Sequence, residues 1–264
     1  MKKNLFYFLL AALCTVSFTA CSSDDDNGGF TELEHVWELE PTVMYDESGN
    51  VTTNPDDAVK YTGSVQITWD CPEGTSIKLG DGDGAMELPV ASVKQLAENL
   101  GNANLPTVLK SVEFKSNGQI VAIYKDAETT TSNLPYTDGW KTASDYATYK
   151  KVNNNQILVF LNTTKVTEGA DEKAALTEIL NIFKDGVPVN IRWSENNSKA
   201  YFYVDKTFIT SLMNNQTLKV MLDNLKDEDL NGMAPLLKAA VNSVKDDVMD
   251  KTTKFEAGLE LMKK

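Results

Sequence analysis

Histidine is almost missing from this chain. His35 is the only one in 264 residues, so a Ser-His-Asp or Cys-His arrangement would have to use that one residue. A zinc site built on several histidines is excluded, because the metal needs Cys or His ligands that are absent. Carboxylates are plentiful, with 38 Asp and Glu, and no pair among them stands out as the acid and base of a glycosidase. No catalytic residue is assigned, the chain is read as a non-enzyme, and no cofactor is expected.

Cations are also scarce. There are 25 Lys and Arg against 38 acids, a formal charge of −13. Nucleic-acid and anionic-lipid binding both rest on neutralising phosphates with Lys and Arg, so nucleic acid is not expected as a partner. Cysteine occurs three times, at Cys14, Cys21 and Cys71, too few for a disulfide framework. Cys71 is expected to be a small buried hydrophobe, with a Cys21–Cys71 bridge as the alternative. Hydrophobic residues make up 42% of the chain and aromatics 9%, which argues against general disorder.

Long apolar runs are lacking too, except at the start. Met1-Lys2-Lys3 is a short cationic opening, Leu5 to Ala12 an apolar core, and Phe18-Thr19-Ala20 a group leading to Cys21. The run is short for a membrane span, which takes roughly 20 residues, and has the three-part form of a cleavable signal. The expected layout is a signal peptide over 1–20, an acidic flexible tether over 21–30, and one α+β domain over 31–264. That domain is expected to be β-rich over 31–165 and helix-rich over 166–264.

Phe18-Thr19-Ala20-Cys21 resembles a bacterial lipobox, with Phe18 in place of the usual leucine. The resemblance implies that Cys21 becomes the acylated first residue of the mature protein. The run Asp24-Asp25-Asp26 resembles the surface-export signal of Bacteroidetes lipoproteins. It implies attachment to the outer membrane through lipid and display on the cell surface. Within the body, "LKSVEFKSNGQIVAIYKD", Trp140 and "YKKVNNNQILVFLN" are similar to lipocalin-like, calycin-type domains of Bacteroidetes lipoproteins. Such folds often hold a small apolar ligand in the barrel mouth.

The residues themselves point to β structure first. Val65, Ile67 and Trp69 alternate, as in a half-buried strand. "TSIKLG" is a candidate to pair with that strand across Pro72-Glu73-Gly74. Asn117-Gly118 supplies the positive φ values of a tight hairpin between Val108–Phe114 and Ile120–Tyr124. A second hairpin is expected around Asn153-Asn154-Asn155 and a third around Ser194–Ser198.

Helical spacing appears at Val93, Leu96, Ala97 and Leu100, with Gly101 at the C-cap position. It recurs at Leu176, Ile179, Leu180 and Phe183, ending at Gly186. Leu237, Val241, Val244, Val248, Phe255, Leu259 and Met262 step by threes and fours, with Thr252 filling one slot. This last seam predicts a long C-terminal helix, lying along the domain's own core or serving as a partner surface.

The loop "LGDGDGAMELP" sits between a strand and a helix. Its G-x-G-x-G spacing and two aspartates do not suit a dinucleotide. Asp81, Asp83 and Glu87 could supply oxygen ligands to calcium, and a solvated turn is the favoured alternative. Tyr136 and Trp140 could stack on a sugar ring, and Trp140 as a barrel plug is favoured over that.

The expected architecture is therefore α+β: an antiparallel meander or lipocalin-like barrel with helices concentrated toward the C-terminus. The expected function is a binding module holding a small apolar ligand or glycan fragment. The alternative is a structural or interaction subunit that meets an outer-membrane protein partner through the C-terminal helical seam.

Overall fold

Strand after strand in this chain alternates large apolar residues with polar ones. In the computed structural model, which describes residues 31–80, 85–125, 139–168, 177, 180–224 and 234–264, that alternation closes a barrel. The first elements are β1 (Val36–Leu39), β2 (Val43–Tyr45), β3 (Val51–Thr52), β4 (Lys60–Thr62) and β5 (Val65–Asp70). β6 (Ser76–Leu79), β7 (Met86–Pro89), helix α1 (Val90–Val108), β8 (Leu109–Phe114) and β9 (Gln119–Tyr124) follow. Then come β10 (Lys141–Asn153), β11 (Gln156–Leu161), the single turn α2 (Thr163–Val166), β12 (Val187–Trp193) and β13 (Lys199–Asp205). The chain finishes with α3 (Lys206–Met213), α4 (Gln216–Asn224), α5 (Ala234–Ser243) running into a π-helical turn (Val244–Val248), and β14 (Lys254–Lys263).

β1 pairs with β8, and β8 to β14 then pair each with the next, all antiparallel. β14 returns to β1 through Leu39 opposite Leu261 and Trp37 opposite Lys263. The result is an eight-stranded closed antiparallel barrel with added helices. Closure leaves no free edge among those eight strands.

Cross-strand partners fix the inward face. Trp37 lies opposite Val112, Phe114 opposite Ile120, and Tyr149 opposite Val159. Ile191 lies opposite Phe202, and Ala200 opposite Leu261. Trp37, Ile157 and Val187 are completely buried, and the two aliphatic ones contribute about 1.5–3 kcal/mol each over an exposed side chain. The buried cluster runs from Leu33 to Leu261, so both halves of the chain build one core.

β14 carries two partners along one edge. β1 leaves it at Leu261 and β5 takes over at Leu259, opposite Val65. The segment between them makes a small sheet, β3-β2-β4. Ser64 holds the junction: its hydroxyl accepts from Glu40 N at 2.7 Å and its carbonyl from Glu260 N at 2.7 Å.

Among the described residues no strand lies beside the outer edge of β5, and α1 fills the place. Asn102 and Glu98 take the N–H groups of Val65 and Ile67, both at 2.8 Å, and Asn99 takes that of Tyr61 at 2.9 Å. Such capping satisfies backbone groups that would otherwise invite another chain. The predicted apolar face of this helix is only half met: Val93 packs against the core, while Leu96 and Leu100 are exposed. Gly101 does not end the helix. It lets α1 approach β5, where a Cβ would come within 2.8 Å of Val65 Cγ1.

Two further expectations are corrected. "TSIKLG" does not pair with β5; Ser76–Leu79 pairs with Met86–Pro89 instead. The C-terminal helical seam ends at Val248, because Lys254–Lys263 is a strand. Phe255, Ala257, Leu259 and Leu261 alternate and face Trp69, Ile67, Val65 and Leu39 across the sheet, a period of two that wins over the threes and fours. The longest described helix, α1, lies outside 166–264, and within that range β12, β13 and β14 alternate with α3, α4 and α5.

Candidate ligand-binding site

The barrel interior differs at its two ends. One end is closed by aromatic rings. Trp37 contacts Trp193 at 5.8 Å and Phe202 at 5.6 Å between centroids, and Phe114 contacts Phe202 at 5.5 Å and Tyr149 at 5.3 Å. Such pairs add about 0.5–1.5 kcal/mol each beyond burial. The entering chain seals the same end. Leu33 is fully buried, and its carbonyl accepts from Trp37 Nε1 at 2.9 Å. His35 serves this seal through its backbone, its carbonyl accepting from Phe114 N at 3.3 Å.

Burial pushes the Tyr149 hydroxyl up to about 12, with the negative charge of Glu34 adding to the shift. That hydroxyl donates to Lys115 O at 2.8 Å and is held neutral at the closed end.

Beyond the plug, the lining is apolar and incompletely covered. Ile120, Ala147, Leu161, Val189 and Leu259 belong to the inward row, since they pair with or alternate with buried positions. They are nevertheless only half-buried. They pack against the buried cluster, which Phe183, Phe208 and Ile209 join from the segments at the end opposite the plug. Ala122 opposite Ala143, with Ala147 next in the row, puts methyl groups where bulkier side chains would close the lumen. The arrangement can exclude water from an apolar ligand, and offers it dispersion contacts in place of ionic ones.

Trp140 begins the connection into β10, at the end opposite the plug. It is half-buried, and Lys125 Nζ lies 4.6 Å from its ring centroid. Lys125 is itself 4% exposed, and a cation so desolvated is drawn strongly to an indole face. One side of the Trp140 ring is therefore taken. Tyr136 lies outside the described residues, so the Tyr136–Trp140 pairing does too.

The other predicted positions are dispersed. Glu87 stands exposed on β7, opposite Lys78, while Asp81 and Asp83 lie outside the described residues. Among the described residues, no three His, Cys, Asp or Glu side chains come together as a metal site. Cys21 and Asp24, Asp25 and Asp26 also lie outside them. Cys71 is free among the described residues and half-buried against the core, and the Cys21–Cys71 bridge lies outside them. Trp69 packs edge-on to Phe255 at 5.1 Å, and Trp193 joins the plug. No described helix is long and apolar enough to cross a membrane.

Sequence reasoning missed two features. Trp37 is the centre of the plug, and the signal was present in Trp37 and Leu39 alternating with Glu38 and Glu40. The other is a polar cluster on the outer wall. Glu256 is buried there, with Oε1 taking Arg192 Nη2 at 2.6 Å and Lys254 Nζ at 3.2 Å. Hydrogen bonding to Glu256 raises the Arg192 pKa above its ordinary value despite opposing desolvation. Beneath it Tyr201 and Tyr203 stack at 4.9 Å, and burial followed by the charge of Glu256 raises the Tyr201 pKa.

Compared with protein-family models, curated proteins and solved structures, the chain matches none.

Proposed function

We propose that this protein is a lipid-anchored lipoprotein of the outer-membrane, cell-surface type, whose barrel holds a small apolar ligand and catalyses no reaction. The observation that carries the binding reading is the ring of inward-facing apolar residues left half-exposed above an aromatic plug. Support for the anchor comes from the N-terminal residues, Phe18-Thr19-Ala20-Cys21 followed by Asp24-Asp25-Asp26.

Of the two ligand classes, an apolar molecule suits the lining better than a glycan fragment. A sugar ring needs planar polar groups and a free aromatic face, whereas the inward row offers alkyl groups and the Trp140 ring already carries Lys125. A role as subunit of an outer-membrane assembly would need a contact surface other than the C-terminal helical seam, which the strand β14 interrupts. The test is titration of the purified protein with N-phenylnaphthylamine, a neutral apolar fluorophore. Saturable binding at one site per chain is expected, and unsaturable or absent binding contradicts the reading.

A further inference from the structure

The antiparallel order places specific loops at each end of the barrel. The β8–β9, β10–β11 and β12–β13 turns share the plugged end with the start of β1 and the end of β14. Thr31 to His35 enter there as well, tied by Leu33 and His35 to Trp37 and Phe114.

These three turns are unusual for so acidic a chain. They read Lys115-Ser116-Asn117-Gly118, Lys150-Lys151-Val152-Asn153-Asn154-Asn155 and Ser194-Glu195-Asn196-Asn197-Ser198. A single carboxylate, Glu195, stands against three lysines, and the remainder is almost entirely amide, hydroxyl or glycine. Lys263 and Lys264 add two cations nearby and Lys199 a third, paired with Glu40 and Glu260, while Glu32, Glu34, Glu38 and Glu113 are further carboxylates of this end. Lys115 pairs with Glu113, and Lys264 with Glu38 at 3.0 Å, which leaves the turn tips without excess negative charge. The opposite end mixes its lysines with exposed Glu73, Asp185, Asp246 and Asp250.

Tether length adds a second constraint. Nine residues, 22–30, separate Cys21 from Thr31, a reach of about 30 Å at full extension. A ten-residue strand such as β14 is itself about 33 Å long. To rest its far end on the bilayer, the barrel would need a tether stretched along its whole length.

We infer that the plugged end of the barrel is the face that meets the lipid surface, with the β8–β9 and β10–β11 turns against the headgroups and the opposite end turned away. The inference rests on acylation at Cys21. Its chemistry is that of turn tips rich in amides, hydroxyls and lysines, groups that hydrogen-bond and pair with phosphates. A ligand would then enter and leave from the side away from the membrane.

The test uses the full acylated chain in vesicles of phosphatidylethanolamine and phosphatidylglycerol, in a Cys71→Ser background. A fluorophore is placed singly at Ser116→Cys, Asn154→Cys or Glu73→Cys, and quenching by headgroup-labelled nitroxide lipid is read. Quenching several-fold stronger at positions 116 and 154 than at 73 is expected, and Lys150→Glu with Lys151→Glu should weaken it. Protein that floats with the vesicles yet quenches equally at both ends, or more at 73, overturns the orientation while leaving the anchor standing. Protein that does not float overturns the anchor, and the orientation with it.

Discussion

Asn102 on α1 gives Val65 on β5 both hydrogen bonds that a neighbouring strand would have supplied. Val65 N donates to Oδ1 at 2.8 Å, and Nδ2 donates to Val65 O at 3.0 Å. Asn102 is 3% exposed, so water cannot stand in when the side chain is removed. Asn102→Ala orphans two buried backbone groups and is expected to cost roughly 2–4 kcal/mol. Urea unfolding measures this, and a change under about 0.5 kcal/mol would show that the helix does not complete the sheet edge.

The outer-wall cluster has a different weak point. Glu256 is buried, while Arg192 is about half exposed in its side chain, so the cost of deleting Arg192 is moderated by solvent and by the remaining Lys254. Arg192→Ala should destabilise by about 1–2 kcal/mol, less than the 3–5 expected for a wholly buried pair. Adding Glu256→Gln to that variant should recover part of the loss. A double-mutant cycle with no coupling would refute the ion pair as a stabilising contact.

Alkaline pH should unfold the protein through its buried tyrosines. Tyr149 is pushed up to about 12 from an ordinary value of 10, and Tyr201 is also raised. Between those pH values the unfolded chain releases the phenolic proton and the native state keeps it, so stability falls as pH rises. The loss is absent below about pH 10, where tyrosine is neutral in both states. Urea midpoints followed from pH 8 to 11 should fall less steeply in Tyr149→Phe than in the parent. Equal slopes would mean that Tyr149 ionises normally.

The proposed anchor rests on one side chain. Cys21→Ser removes the thiol that lipid would occupy, and the protein should then leave the membrane fraction. Retention of that variant in sedimented membranes would rule out Cys21 as the attachment point.

Local turn chemistry was the part of the fold most readable from sequence. Asn117-Gly118 does close a hairpin, with Gly118 at φ 82°, and Gly186, at φ 86°, ends the turn 182–185 that leads into β12. Both work because a positive φ is a single-residue requirement that glycine meets wherever it stands. The strand set Val65, Ile67 and Trp69 was readable for a similar reason, since alternation is local.

Longer-range decisions were not readable. Phe255, Leu259 and Met262 fit a helix by threes and fours, while Phe255, Ala257, Leu259 and Leu261 fit a strand by twos. Only the strands waiting on both sides, β13 together with β5 and β1, decide between them. The docking face of α1 was hidden because its side chains there are Glu98 and Asn102, which act as sheet partners and not as core. Of the candidate site, Trp140 was visible as a single residue, but the alanine row across β9 and β10 takes meaning only from register.

Binding of an apolar ligand in the barrel interior above the plug turns on Ala147. Ala147 faces inward between Ile120 and Leu161 and is half-buried, so Ala147→Phe should fill the lumen. N-phenylnaphthylamine titration of the two proteins, with urea unfolding to establish that the variant is folded, is the measurement. Saturable one-site binding by the parent and its loss in folded Ala147→Phe are expected. Equal binding by both, or none by the parent, would contradict it.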